Sequence, residues 1–144
     1  MVTATKIAEA LGGRHVLRER LADYTAVIQR AEAGLPYAAL EAVAKRYGIP
    51  LATLARVIGL PARTLARRKK ERRLSAGESD RLVRVARVAS AAEDVLETRE
   101  DAGRWLQKAN RGLGGVVPLE LLRSDLGAEQ VETILVRIDY GVYS

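Results

Sequence analysis

Two Gly-x-Pro steps, Gly48-Ile49-Pro50 and Gly59-Leu60-Pro61, stand eleven residues apart and constrain this chain more than any other feature. A helix reaching Gly48 or Gly59 stops there, because glycine accepts the left-handed conformation that ends a helix, and proline suits the start of the next one. The stretch between the two steps has room for one short helix. Leu51, Leu54, Ala55 and Ile58 occupy i, i+3, i+4 and i+7 within it, which places them on one buried face. A second helix opens at Pro61 and runs through Leu65 toward Arg73. The pair has the spelling of a helix-turn-helix: Ala55 is the small residue where the helices cross, and Gly59 sits in the turn four residues later. Leu54, Ile58, Leu60 and Leu65 lock the two helices together.

The rest of the chain reads as helix. Val16, Arg20, Tyr24, Val27 and Ile28 follow helical spacing after the break at Gly12-Gly13. Pro36 suits the first turn of a helix with Leu40, Val43, Ala44 and Tyr47 on one side. Ser75-Ala76-Gly77-Glu78 spells a capping box, and Leu82, Val85, Ala89, Ala92 and Leu96 follow it as a narrow packing seam. Thr98 to Asp101 repeats the cap before a short helix with Trp105, Leu106 and Ala109. The loop Gly112-Leu113-Gly114-Gly115 leads to a helix opened by Pro118, with Leu119, Leu121 and Leu122. Gly127 is expected to separate that helix from a last one carrying Val131, Ile134, Leu135 and Ile138, which Gly141 terminates. With no Phe, 4% aromatics and 48% apolar residues, the core is aliphatic and the fold class all-α.

Charge divides the chain. The net is +2 over residues 1–55, +8 over 56–89 and −4 over 90–144. A basic centre beside an acidic end suits a polyanion site and a separate surface for another partner. With Leu65 turned inward, the second helix of the unit points Arg63, Thr64, Arg67, Arg68 and Lys70 outward. Arg63, Arg67 and Lys70 form a stripe at i, i+4 and i+7 that suits base edges in a major groove. Arg68, Lys69, Arg72 and Arg73 suit phosphates, with Arg81, Arg84 and Arg87 as further candidates. Position 68 is a core position in simpler units of this kind, so its Arg stem is expected to cover the core at the helix–phosphate boundary. A plain helical hairpin with a solvated basic face is the alternative, and a net charge of +7 over residues 56–73 weighs against it.

Several classes drop out. There is no Cys, and His15 is the single His. Disulfides, Cys-based metal sites and thiol catalysis are therefore excluded, and no metal or cofactor is expected. His15 lies outside every motif and no carboxylate pair has a structural rationale, so an enzyme is disfavoured. The glycine loop lacks the Lys-Ser/Thr of a phosphate loop. No apolar run is long enough to span a membrane, and the first ten residues do not spell a signal peptide, so the expected place is the cytoplasm. A membrane-surface role for residues 61–73 fails because Leu65 is nearly alone on the apolar side.

From about residue 34 to 144 the chain resembles the Xre/MbcA/ParS antitoxin family. The resemblance rests on Arg63-Thr64-Leu65, Leu74-Ser75, Glu78-Ser79-Asp80-Arg81, Trp105-Leu106, Leu113-Gly114-Gly115, Pro118-Leu119-Glu120-Leu121-Leu122 and Gly141-Val142-Tyr143, in that order. It departs at Ala109-Asn110, where the family often has Pro-Asn, and at Val117, where it often has a capping Thr. The resemblance implies an antitoxin of a type II toxin–antitoxin system that neutralises a cognate RES-domain, NAD-consuming toxin and represses their shared promoter at operator DNA. It also implies a homodimer or higher homo-oligomer. It divides the chain into an N-terminal helical extension (1–33), a helix-turn-helix region (34–97) and a toxin-binding domain (98–144). Trp105, Leu113, Gly114, Gly115, Leu119, Gly141, Val142 and Tyr143 become the toxin-binding candidates. Read without the resemblance, Trp105 is more commonly a core residue, Gly114-Gly115 a tight turn and the last residues a frayed end. A stand-alone repressor whose C-terminal domain only oligomerises is the alternative function.

Overall fold

The fold is organised around one long helix, α7 (Ala76–Leu96), in a computed structural model that describes residues 2–141. Its start follows from the capping box. The Ser75 hydroxyl accepts from the Glu78 N–H, and the Glu78 carboxylate accepts from the Ser75 N–H. Leu82, Val85, Ala89 and Ala92 of the expected seam are fully buried, and Ala86 and Val88 widen it. Burial of each large aliphatic side chain contributes about 1.5–3 kcal/mol. A stripe that wide is buried on more than one side. Helices α1 (Ala4–Ala10), α3 (Tyr24–Glu32), α4 (Tyr37–Tyr47), α8 (Arg99–Leu106) and α10 (Asp125–Asp139) all pack on α7.

The helix-turn-helix is α5 (Leu51–Val57) and α6 (Ala62–Glu71), started by Pro50 and Pro61 as expected. Helix α4 ends at Gly48, and Gly59 takes φ 78° in the turn. Two isolated bridges, Pro36 with Arg73 and Asn110 with Val116, are the extended pairings among the described residues. The all-α expectation holds.

Three local expectations are corrected. The periodic run from Val16 to Ile28 is not one helix. A short α2 (Gly13–Leu17) ends at Arg18, which takes a left-handed φ of 65°, and α3 starts again under an Asp23 cap. Tyr24 and Ile28 are exposed as a result. Helix α8 ends at Leu106, so Ala109 lies beyond it and is exposed. Gly127 does not separate two helices. It lies in the first turn of α10, capped by Ser124, where a Cβ would stand 1.9 Å from the carbonyl oxygen of Leu121. Glycine is required there by the close approach of the preceding helix, α9 (Pro118–Leu121), and not by chain termination. Val117 starts α9 without a side-chain cap.

Candidate nucleic-acid interface

Helix α6 stands on the protein with no buried residue. Its attachment is thin. Leu65 packs partly against the core, beside the fully buried Leu54 and Ile58 and the nearly buried Leu60. Past its end, the Arg72 carbonyl accepts from Tyr37 N and the Leu35 carbonyl from Leu74 N, which fixes the C-terminal end of α6 to α4. With about 100° per residue, Arg63, Arg67 and Lys70 fall within about 60° of one another, opposite Leu65. All three are exposed, as are Lys69 and Arg72, while Thr64 is half-buried. The expected reading stripe therefore faces solvent as a unit. Arg72 is placed by its own backbone, since it closes α6 in a left-handed conformation at φ 63°.

Arg68 departs from the expected outward set. It lies about 140° around the helix from Arg63. Its Nε donates to Glu78 Oε1 at 2.7 Å and its Nη2 to Glu78 Oε2 at 3.1 Å, a bidentate pair, while Nη1 reaches Glu71 at 3.1 Å. The side chains of Arg68 and Glu78 are 19% and 7% exposed. The two carboxylates raise the Arg68 pKa. Burial alone would push Glu78 upward; Arg68 and the Ser75 N–H outweigh it and hold Glu78 below the usual carboxylate range.

The arginines of α7, candidates for further phosphate contacts, are also engaged by other elements of the fold. Arg81 Nε donates to the Ile58 carbonyl at 2.7 Å, in the helix-turn-helix turn. Arg84 pairs with Asp125 at 2.7 Å and donates to the Leu122 carbonyl at 3.3 Å. Arg87 pairs with Glu132 at 3.2 Å. These three join α7 to α5 and α10, which is why they are not free cations. Glu78 as partner of Arg68, and the pair of Arg56 with Glu120, which links α5 to α9, are the functional neighbours that sequence reasoning missed. Glu78 was visible as a cap, but nothing in the spacing pointed to Arg68.

The toxin-binding candidates divide as well. Gly114 and Gly115 are exposed at positive φ, in a loop closed by Gly115 N donating to the Asn110 carbonyl at 2.8 Å. Trp105 and Leu113 are half-buried and pack against the core, each with part of its surface free. Leu119 is 1% exposed and lies in the core, so it offers no surface in the free protein. Gly141 is exposed at φ 74°, directly after α10, where Tyr140 is also exposed. Val142 and Tyr143 lie outside the described residues. A groove of about 730 Å³ runs along α10, lined by Asp125, Glu129, Val136 and Asp139 on that side and by Val2 and Tyr24 on the other.

Among the described residues no group of three His, Cys, Asp or Glu is placed to hold a metal ion, and no helix is long and apolar enough to cross a membrane. His15 is exposed.

Two family models match the chain. The antitoxin Xre-like helix-turn-helix domain matches residues 26–87, and the antitoxin Xre/MbcA/ParS C-terminal toxin-binding domain matches residues 91–141. Curated relatives carry the name antitoxin Xre. That of Yersinia enterocolitica serotype O:8 / biotype 1B is 30% identical over 122 residues, which covers 83% of this chain and 82% of the relative. That of Photorhabdus laumondii subsp. laumondii is 30% identical over 113 residues, 77% of this chain and 76% of the relative. That of Pseudomonas putida KT2440 is 37% identical over 83 residues, 57% of this chain and 52% of the relative.

Proposed function

The chain belongs to the Xre antitoxin family, in which a helix-turn-helix domain is followed by a toxin-binding domain and neither is catalytic; from that premise we propose that it neutralises a cognate RES-domain, NAD-degrading toxin and represses their shared promoter. The observation that carries the DNA half is α6 itself. A helix with no buried residue and an outward stripe of Arg63, Arg67 and Lys70 is poorly explained by packing and well explained by a groove that covers it. Arg can place two donors on guanine O6 and N7, while Thr64, Lys69 and Arg72 lie at the flanks for phosphates. A dimer would present two such helices to a palindromic operator.

The toxin half uses the C-terminal region of the chain. Gly114, Gly115, the free edges of Trp105 and Leu113, and the end from Gly141 through Val142 and Tyr143 form the proposed contact set. The functional division is an extension at 1–33, a DNA-binding region at 34–97 and a toxin-binding region at 98–144, in the cytoplasm.

The test is co-expression with the product of the adjacent reading frame, followed by a NAD-consumption assay and binding of the purified complex to the upstream promoter fragment. Expected are a stable complex, suppressed NAD loss and promoter binding. A chain that binds the promoter but leaves NAD consumption untouched would make it a stand-alone repressor. Removal of residues 142–144 is expected to leave promoter binding intact and to weaken inhibition, chiefly through faster dissociation.

A further inference from the structure

We propose that Glu78 is the positioning residue of the DNA-reading helix, and that Arg68, despite its place in the most basic segment of the chain, serves this clamp and touches no DNA. The inference rests on the DNA-binding reading above.

Three observations lead to it. First, α6 has almost nothing else to orient it. It buries no residue, its one partly buried apolar side chain is Leu65, and its far end is fixed through backbone bonds at Arg72 and Leu74. A helix held by one apolar contact and one end remains free to roll about its own axis. A roll of a few tens of degrees would carry Arg63, Arg67 and Lys70 off the base edges, because bidentate readout depends on direction. Second, the Arg68–Glu78 pair is built to oppose that roll. It is a two-point, planar contact at 2.7 and 3.1 Å, on the side of α6 away from the stripe. A forked guanidinium–carboxylate pair fixes orientation as well as distance. Among the hydrogen bonds of the described residues, no other side-chain bond joins the body of α6 to the rest of the protein.

Third, Glu78 is itself fixed. It is 7% exposed, and the same Oε1 that receives Arg68 Nε accepts the Ser75 N–H at 2.8 Å. Its neighbours in the first turns of α7 hold the surrounding elements: the Ser79 hydroxyl accepts from Leu35 N at 2.8 Å, and Arg81 holds the Ile58 carbonyl. The start of α7 is thus a rigid seat, and the Arg68 pair transmits its direction to α6. An arginine so engaged would have to leave a buried carboxylate unpaired in order to reach a phosphate, and that cost is large.

The experiment compares the full chain with Arg68→Gln, Glu78→Gln, the double variant and Arg67→Gln. Each is titrated with two duplexes of equal length over a range of salt: the chain's own upstream promoter fragment and a scrambled sequence. Glutamine at position 78 can still accept the Ser75 N–H, so the cap survives while the charged fork is lost. Circular dichroism and melting confirm that each variant is folded. The clamp predicts that Arg68→Gln and Glu78→Gln each lower the promoter-over-scrambled preference roughly tenfold, and that the double variant is no worse than either single, as for two halves of one device. It also predicts that Arg68→Gln leaves the salt slope on scrambled DNA unchanged, since no phosphate contact is lost. Arg67→Gln supplies the contrast, losing promoter preference at wild-type stability.

The proposal is overturned if Arg68→Gln reduces the salt slope by about 0.9, the signature of one phosphate contact. It is overturned equally if Glu78→Gln tightens both duplexes alike, which is what removal of a nearby negative charge alone would do. Unchanged preference in folded variants of a discriminating wild type defeats the clamp and leaves DNA reading intact. A wild type that binds both duplexes equally defeats the reading itself. A variant that fails to fold is replaced by Arg68→Lys, which keeps the charge and loses the fork, and the same loss of preference is expected.

Discussion

Helices α6 and α7 follow one another, both are rich in arginine, and they use it in opposite ways. On α6, Arg63 and Arg67 point to solvent and make no salt bridge among the described residues, together with Lys69 and Lys70. On α7, Arg81, Arg84 and Arg87 each find an oxygen on another element: the Ile58 carbonyl, Asp125 with the Leu122 carbonyl, and Glu132. Arg68 belongs to the first helix by position and to the second group by behaviour. A block of basic residues in a sequence is therefore two populations. One is structural and already engaged by oxygens of the fold; the other is free to meet a polyanion. The whole +8 of residues 56–89 overstates the charge offered to DNA.

The contrast can be tested through burial first. Leu82 in α7 is fully buried, whereas Leu65 in α6 is only partly so. Leu82→Ala is expected to cost about 2–5 kcal/mol, and Leu65→Ala about 1 kcal/mol, in denaturant unfolding. Equal losses would mean that α6 is packed as firmly as α7. The second test removes a free arginine. Arg63→Ala should cost about 1–3 kcal/mol of promoter affinity while moving stability by less than about 0.5 kcal/mol. Its mirror on α7 is Arg84→Ala. The Arg84 side chain is 11% exposed but Asp125 is 86% exposed, so solvent screens the pair and the expected loss of stability is about 0.5–1 kcal/mol. Binding to scrambled duplex DNA should keep its salt slope; a fall of about 0.9 would return Arg84 to the phosphate-binding group.

The smallest effect is in pH. Glu78 has its pKa lowered in the folded protein, chiefly by Arg68 working against the upward push of burial. The folded state thus favours the ionised form. The resulting stability is present above the unfolded carboxylate value of about 4.5 and fades as pH falls through the lower folded value. Glu78→Gln should flatten the acid side of the stability curve below about pH 4.5, with little change in its slope at neutral pH. An unaltered acid limb would show that the pair adds nothing to stability.

What was legible in the sequence was what neighbouring residues decide. The Pro and Gly limits of α5 and α6, the capping box of α7 and the direction of the Arg63, Arg67 and Lys70 stripe all follow from spacing within a few residues. What was not legible depends on distant partners. Arg84 and Arg87 look like phosphate contacts until Asp125 and Glu132, about forty residues away, fold against them. Leu119 lies in a family motif and so was a candidate contact residue, yet its side chain is buried in the free protein. Arg18 ends α2 in a left-handed conformation that a glycine would have announced and an arginine does not. Gly127 shows the reverse: a glycine read as punctuation lies inside the first turn of α10, where the Leu121 carbonyl leaves no room for a side chain.

The central burial of α7 also bears on how the molecule comes apart. One continuous apolar cluster extends from Val2 to Leu135, and α7 supplies its middle. The helices packed on α7 therefore form a single cooperative melting unit, and α6, which buries no residue, is tied to it through Leu65, Arg68 and its C-terminal end. A ligand at either end then protects the whole chain by mass action, by about 2.7 kcal/mol when its concentration is one hundred times its dissociation constant. A protease that waits for this unit to open would be slowed at α1 and α3, which pack on α7, by a partner seated on the Gly114-Gly115 loop, some distance from the peptide bonds it spares.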